Sequence, residues 1–409
     1  RHGANVMVVD TREHPPHLAE LQAQHPDVVF QHGPFDASLI EGQSVRAVFK
    51  SPGLSPESVA PVWQAAQAAG LWVGTELTLF AQALEELKTD KQYTPHVLAI
   101  TGTNGKTTVT SLTGQLLERA GMRVAVAGNI GPTLLDTLGS ALEQEQSQWP
   151  QAWVLELSSF QLDQVDNFEP TAATVLNLTQ DHLDWHGDMA AYAKAKAGIF
   201  GRQASIVLNR DDSNVMAMLP APVAKTKGSK QPPREVMRFG ADMPNQHGDW
   251  GLETVNGMTW LVRALNVDET RKSRASTETE IYIQRLLPVD ALRIRGRHNA
   301  LNAMAALALA SSTGAPLASM LYALREYRGE PHRVASIAVL QDIEYIDDSK
   351  GTNVGATVAA INSVGADRRI VLILGGDGKD QDFSSLRVPI QQYVRSVVLI
   401  GKDAAELRQ

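Results

Sequence analysis

The run Ala99-Ile100-Thr101-Gly102-Thr103-Asn104-Gly105-Lys106-Thr107-Thr108 constrains this chain more than any other stretch of it. A short apolar segment, Val97–Ile100, leads into it, and a helical pattern from about Lys106 to Ala120 follows. A loop between a strand and a helix leaves free N–H groups at the helix start, and these point at an anion. Gly102 and Gly105 let backbone come close to a phosphate. Lys106 brings a charge to the outer phosphates, and Thr107 can offer its hydroxyl to Mg²⁺. The general motif has glycine five residues before Gly105, where this chain has Ile100. A Gly-rich turn ahead of an ordinary helix is the alternative.

The loop sits inside a repeating α/β pattern. Val6–Asp10, Val28–Phe30, Ala47–Phe49 and Leu71–Gly74 read as strands, and Ser58–Ala69 and Leu77–Leu87 as helices, because apolar residues recur at three and four. Lys88–Pro95 is polar and reads as a linker. Strands follow at Val124–Ala127, Trp153–Leu157, Thr174–Leu178 and Ser205–Leu208. Residues 225–290 differ in kind. Lys225–Arg234 reads as a loop, Asn256-Gly257 between apolar flanks as a hairpin turn, and Arg271–Thr279 as solvated chain. Asn299–Ser311 is an Ala-rich helix. Ser336–Leu340, Glu344–Ile346, Ile370–Leu374 and Val397–Ile400 read as strands of a last unit. The pattern predicts an α/β protein of three domains: an N-terminal Rossmann-like parallel sheet (1–93), a central phosphate-loop α/β domain (94–328) and a C-terminal Rossmann-like domain (329–409). Val6–Asp10 resembles the second strand of a dinucleotide-type fold, so a first strand and Gly-rich turn are expected ahead of it. A further segment is expected after Val397–Ile400.

Two clusters lie where parallel strands end, which is where α/β folds place ligands. Glu156 ends the apolar strand Trp153–Leu157 and is followed by Leu157-Ser158-Ser159. A carboxylate there costs several kcal/mol unless a cation meets it. Nucleotide-bound Mg²⁺ would do so, and so would an arginine or a helix start. Thr179-Gln180-Asp181-His182 follows the next strand and makes His182 a candidate ligand. Lys196, in Tyr192-Ala193-Lys194-Ala195-Lys196-Ala197, is by itself an ordinary helix lysine.

Composition narrows the classes. Of 409 residues, 43% are hydrophobic and 20% charged, enough for a sizeable core. The net charge is -8, which argues against a nucleic-acid partner. There is no cysteine, so disulfides, thiolate catalysis and cysteine zinc sites are excluded. No apolar run approaches the roughly 18 residues of a membrane span, and Arg1-His2-Gly3 does not open a signal peptide. The expected setting is cytoplasmic, as a monomer, with no membrane partner.

Thr101–Thr108, Gly128-Asn129-Ile130-Gly131, Glu156-Leu157-Ser158-Ser159-Phe160-Gln161-Leu162 and Asp181-His182 resemble the central domain of the Mur ligases. Gly296-Arg297-His298-Asn299 with Asn302, Pro331-His332-Arg333, Asp348-Ser349-Lys350-Gly351-Thr352-Asn353 and Gly375-Gly376-Asp377-Gly378-Lys379 continue the match in the family's order. Asp10-Thr11-Arg12, Ser51-Pro52-Gly53 and the Glu156–Leu162 run look like the members that add D-glutamate to UDP-N-acetylmuramoyl-L-alanine.

The resemblance implies ATP, two Mg²⁺ ions and an acyl-phosphate route to an amide bond in peptidoglycan precursor synthesis. It implies that Thr11 and Arg12 hold the uracil end of the substrate, with Ser51 and Gly53 near its diphosphate. Gly102, Thr103, Asn104, Gly105, Lys106, Thr107 and Thr108 would cradle ATP. Thr107, Glu156, His182 and Lys196 would hold metal, Lys196 as a carbamate. Asn129, Ser158 and Gln161 would face the muramoyl part. Asn299 and Asn302 would contact the nucleotide, Arg333 its γ-phosphate and Asp348 its ribose. Lys350, Thr352 and Lys379 would meet D-glutamate. The family's Gly-rich N-terminal turn and its Cys-containing C-terminal segment have no match here. Another Mur ligase, a folylpolyglutamate-synthase-like ligase, a nucleotide-binding regulator without chemistry and a phosphate-loop motor are the rivals.

Overall fold

The computed structural model describes residues 3–220, 234–266, 281–365, 369–378 and 381–408. The chain divides into two compact units, Arg1–Leu79 and Phe80–Gln409.

The first unit holds β1 (Met7–Asp10), α1 (Leu18–Gln24), β2 (Val29–His32), β3 (Ala47–Phe49), α2 (Pro56–Ala68) and β4 (Trp72–Gly74), and α3 (Glu76–Lys91) starts in it. β1 pairs with β2 and β3 with β4, both in parallel. The parallel α/β reading holds, with the strands paired in twos. Ser55 caps α2 by accepting the Ser58 N–H, and Pro56 takes the first helical turn, where its missing donor is harmless. Val59, Val62 and Ala66 of α2 pack on Leu39 and Ile40 to make a small core. The expected linker Lys88–Pro95 starts as helix, since α3 runs on to Lys91. Lys88 pairs with Glu85 one turn back, and Lys88 and Lys91 meet the negative end of the helix.

The second unit is built on β5 (His96–Thr101), α4 (Lys106–Arg119), β6 (Val124–Gly128), α5 (Leu134–Leu142), β7 (Ala152–Glu156), α6 (Ser159–Leu162) and β8 (Ala172–Val175). Then come α7 (Leu183–His186), α8 (Met189–Ala197), β9 (Ser205–Asn209), α9 (Ser213–Met216), β10 (Val236–Phe239), β11 (Trp250–Val255), β12 (Met258–Asn266) and β13 (Ile281–Pro288). These nine strands form one sheet in the order β13-β12-β11-β10-β9-β8-β5-β7-β6. The seven from β6 to β11 run parallel, and β12 and β13 close the edge antiparallel. The polar stretch set apart in the sequence therefore contributes four sheet strands. Its hairpin falls at Asn256 and Gly257, both left-handed, as a two-residue turn requires. The stretches 221–233 and 267–280, which take in most of the expected loop Lys225–Arg234 and all of Arg271–Thr279, lie outside the described residues.

The strand order reverses at β5: β7 and β6 lie on one side of it and β8 on the other. That switch point opens a crevice above the strand ends. α4 and α10 (Arg297–Ser311) pack on the sheet, and Ala300 and Ala303–Ala310 of α10 are all buried. An alanine-rich helix can be enclosed on every side because small side chains let neighbours approach closely. α11 (Leu317–Glu326), which the sequence patterns missed, adds Met320, Ala323 and Leu324 to this core. The chain ends in the hairpin β14 (Ala335–Leu340) and β15 (Ile343–Asp347), α12 (Val354–Val364), β16 (Ile370–Gly375), α13 (Arg387–Tyr393) and β17 (Val394–Ile400). β16 and β17 pair in parallel.

Candidate active site

The phosphate loop leaves β5 at the switch point and is clamped from β8. The Asn104 N–H donates to Asn177 Oδ1 (2.8 Å), and Asn177 Nδ2 donates back to the Asn104 carbonyl (3.0 Å). Thr103 Oγ1 donates to the Thr179 carbonyl (3.1 Å) and accepts the Thr179 N–H (3.0 Å). Gly105 is left-handed at φ 85, and a Cβ there would meet Asn302 Oδ1 at 2.8 Å. Only glycine fits this approach to α10. Thr179 belongs to the cluster expected at this strand end, whereas Asn177 was not singled out: it fell inside the expected strand Thr174–Leu178, and β8 ends earlier, at Val175.

Two lysines converge beneath the loop. Lys106 Nζ donates to the carbonyls of Gly102 (2.9 Å) and Thr103 (3.0 Å). Lys196, only 1% exposed, donates to the same Gly102 carbonyl (3.0 Å) and to Thr101 Oγ1 (3.2 Å), with its Nζ 4.7 Å from the Tyr192 ring centre. Desolvation, then the Lys106 charge, holds Lys196 well below the ordinary lysine value. Desolvation also lowers Lys106. The helix lysine of the sequence is thus a buried amine at the phosphate loop.

Glu156 ends β7 between β5 and β6, also 1% exposed. Its Oε1 accepts from Asn129 Nδ2 (2.8 Å), and its carbonyl accepts the Asn129 N–H (2.8 Å). Its Oε2 is buried with no hydrogen-bond partner. Gly128, at φ 114, lies so close to the Glu156 carbonyl that a Cβ would collide with it. Gly128→Ala is expected to lower stability by about 3 kcal/mol, combining backbone strain and overlap. A denaturant midpoint equal to the parent's would show that β6 can slide to accept the methyl.

His182 is left-handed at φ 54, with its ring against Phe160 (4.8 Å between centroids) and its Nε2 3.6 Å from Asp181 Oδ2. Ser158 and Gln161 are bound to each other in a capping box that starts α6. The neighbouring His186 contacts Ser159 Oγ at 2.9 Å, and burial together with the Lys196 and His182 charges lowers its pKa to about 4.

On the other side of the loop, Asn104, Gly105, Thr108, Asn299, Asn302, Arg333 and Asp348 line a cavity of about 240 Å³. Its floor includes His298, which burial keeps below the ordinary histidine value, and its wall includes Gly355 and Ala356 of α12. The sequence patterns assigned no role to these three. Asn302 Nδ2 donates to Asn299 Oδ1 (3.1 Å). Arg333 Nη2 donates to Thr107 Oγ1 (2.8 Å), and its Nε is buried without a partner. His332 and Val334 on either side are left-handed at φ 65 and 50, a strained setting for a β-branched residue that fixes where Arg333 points. Asp348 Oδ1 accepts the Val334 N–H (3.1 Å), and burial raises its pKa.

The remaining expected residues lie elsewhere. Thr11 and Arg12 follow β1, where Arg12 is bound to both oxygens of Asp10 (2.9 and 2.8 Å). Ser51 and Gly53 follow β3 and are exposed. Lys350 and Thr352 are exposed before α12, and Lys379 lies outside the described residues.

The residues present suit magnesium with a nucleotide. The orphaned Glu156 oxygen calls for a cation, and the Thr107 hydroxyl is a hard oxygen donor. Among the described residues no three His, Asp or Glu side chains converge as a cage.

A phosphate loop at a switch point, a buried and a half-buried amine and an orphaned carboxylate define a phosphate-loop nucleotide enzyme. The Mur ligase middle domain matches residues 100–310. The chain is 60% identical to the UDP-N-acetylmuramoylalanine–D-glutamate ligase of Albidiferax ferrireducens over 408 residues, 100% of this chain and 80% of that protein. It is 52% identical to the ligase of the same name from Paraburkholderia xenovorans, covering 100% and 80%. The chain belongs to the Mur ligase family, among the UDP-N-acetylmuramoylalanine–D-glutamate ligases. Its fold is similar to MurF of Acinetobacter baumannii (TM-score 0.57, 21% identity, 82% of this chain and 70% of that one). It is also similar to the UDP-N-acetylmuramate–alanine ligase MurC of Thermotoga maritima (0.55, 20%, 98% and 81%).

Proposed function

We propose that this chain uses ATP to add D-glutamate to UDP-N-acetylmuramoyl-L-alanine during peptidoglycan precursor synthesis. The observation that carries the chemistry is the meeting of Lys106, Lys196 and the orphaned Glu156 oxygen around one phosphate loop. Identity across the whole chain to D-glutamate ligases supports the substrates and argues against a regulator, a motor or a folate enzyme. The expected division of labour is nucleotide-sugar binding by 1–93, ATP binding by 94–328 and amino-acid binding by 329–409. The chain is proposed to act as a monomer in the cytoplasm. Among the described residues no helix is long and apolar enough to cross a membrane.

A carboxylate is a poor electrophile because oxide would have to leave. The L-alanyl carboxylate oxygen attacks the γ-phosphorus, and ADP departs. The D-glutamate amine then attacks the acyl carbon, phosphate leaves, and the amine loses a proton. Thr107, Glu156, His182 and a carbamate on Lys196 would hold magnesium, which when bound neutralises the crowded phosphate oxygens. Lys106, once nucleotide draws it from the Gly102 and Thr103 carbonyls, stabilises charge on the moving phosphoryl group, and Arg333 does so from beside Thr107. Asn299, Asn302 and Asp348, which line the cavity beside the loop, are assigned to the nucleotide. Asn129 fixes the Glu156 carboxylate by its amide, while Ser158 and Gln161 hold the start of α6 beside it. Thr11, Arg12, Ser51 and Gly53 are assigned to the nucleotide sugar, and Lys350, Thr352 and Lys379 to D-glutamate.

Phosphate release from Mg·ATP tests this, with UDP-N-acetylmuramoyl-L-alanine present and one amino acid added at a time. Release that needs both the nucleotide sugar and D-glutamate is expected. Release with L-lysine or diaminopimelate instead would discard the D-glutamate assignment, and release without any acceptor would indicate a plain ATPase.

A further inference from the structure

Asn353 joins the amino-acid side of the site to the phosphate loop. Its Nδ2 donates to Asn104 Oδ1 (2.8 Å), and its Oδ1 accepts from Asn104 Nδ2 (3.2 Å). The same Oδ1 accepts the Ala356 N–H (2.9 Å) and so caps α12. Asn353 is 8% exposed. A Cβ on Gly355 would lie 3.4 Å from Asn104 Nδ2, so the first turn of α12 rests on the loop. On its far side Asn104 is bound through its backbone to Asn177. Three carboxamides therefore run from the end of β8, through the phosphate loop, to the start of α12.

The chemistry of this chain of contacts is specific. A reciprocal pair needs a donor and an acceptor on each side chain, which only a carboxamide provides at this length. Neither partner titrates, so the link is indifferent to pH. Asn353 is buried and Asn104 half-buried, so the pair is partly shielded from water. Lys350 and Thr352, assigned to the incoming amino acid, precede Asn353 by three residues and one. Whatever fixes Asn353 against the loop fixes them against the phosphoryl group.

We propose that Asn353 is a positioning residue that sets the register of the amino-acid-binding loop against the phosphate loop. This rests on the ligase reading above. It assigns a purpose to the amide pair that the helix cap alone does not need, since serine or aspartate caps as well.

Three variants separate the two roles. Asn353→Asp keeps the cap and still accepts from Asn104, but it sets a carboxylate oxygen against Asn104 Oδ1. Asn353→Ser keeps the cap and is too short to reach. Asn353→Ala loses both. The Asp and Ser variants are expected to melt with the parent and to raise KM for D-glutamate about tenfold, the effect of losing one or two hydrogen bonds. KM for ATP should stay within about twofold of the parent, and phosphate release should exceed amide formation. Nucleotide should slow hydrogen exchange across Val354–Thr357 in the parent and not in Asn353→Asp. Parental D-glutamate KM and full coupling in the Asp and Ser variants would overturn the proposal. So would equal exchange protection in parent and Asn353→Asp. A parent that does not turn over D-glutamate but shows the protection difference would overturn the ligase reading and leave the positioning role standing.

Discussion

Lys196→Ala is expected to lower the rate of amide formation about 10²–10³-fold, the size seen when one preorganised charge is removed from a reacting site. Added short carboxylic acids are expected to restore part of it. The reason lies in two amines bound to one carbonyl. Lys196 and Lys106 both donate to Gly102 O, and Lys196 is sealed among Thr101, Gly102 and the Tyr192 ring. Burying one ammonium costs several kcal/mol, and setting it beside a second, half-buried one costs more. Desolvation and the Lys106 charge therefore push Lys196 toward its neutral form. On the proposed carbamate route the neutral amine would capture CO₂: an N–C bond would form, a proton would leave, and the neutral side chain would become an anion. That anion would attract Lys106 where the ammonium opposes it. The sign of the pH effect follows. Because the pKa is lowered from 10.5, the neutral amine is present at lower pH than in a free lysine, and activity should fall as acid protonates it. Alanine leaves a slot of the right size for a carboxylate, so acetate or propionate should rescue and ethylamine should not. Near-parental activity in Lys196→Ala, or rescue by the amine, would remove the carbamate from the mechanism.

The phosphate loop was legible in the sequence because its chemistry is local: strand, glycines, lysine and threonine within ten residues. Glu156 was legible for a different reason, since an acid inside an apolar strand is costly wherever that strand lies. The turn at Asn256-Gly257 was readable because two left-handed residues in a row admit few amino acids. β13 was not, since it alternates on an exposed edge next to residues without a pattern of their own. The α12 helix and the Asn104–Asn353 pair were hidden for a topological reason. The pair spans 249 residues, and neither asparagine differs locally from a turn or cap residue. Asn129 was assigned to substrate from resemblance, and the bond its amide makes to Glu156 was not readable beside that assignment. A single sequence gives the residue but not the direction in which its side chain turns.

Glu156→Gln is the sharper test of the metal-binding half of the site. The carboxylate is held by Asn129 at one oxygen, and the other is buried with nothing to accept from. An orphaned buried oxygen costs roughly 1–3 kcal/mol, and more when charged. An ion or water from outside the polypeptide can supply the missing partner of such a group. Lys106 and Lys196 lie close enough to feel its charge, but both donate to backbone or hydroxyl oxygens of the loop instead. A divalent ion on the nucleotide would satisfy the oxygen. Glutamine has the same shape and still accepts from Asn129, so the variant should fold and melt near the parent. Its turnover should drop about 10²-fold or more, and the rise in melting temperature that Mg²⁺ adds to ATP binding should shrink toward zero. The two readouts separate causes. Lost turnover with an intact Mg²⁺-dependent shift would move Glu156 from metal binding to substrate placement. An unchanged rate would mean that the orphaned oxygen serves neither, and the buried charge at the end of β7 would need another explanation.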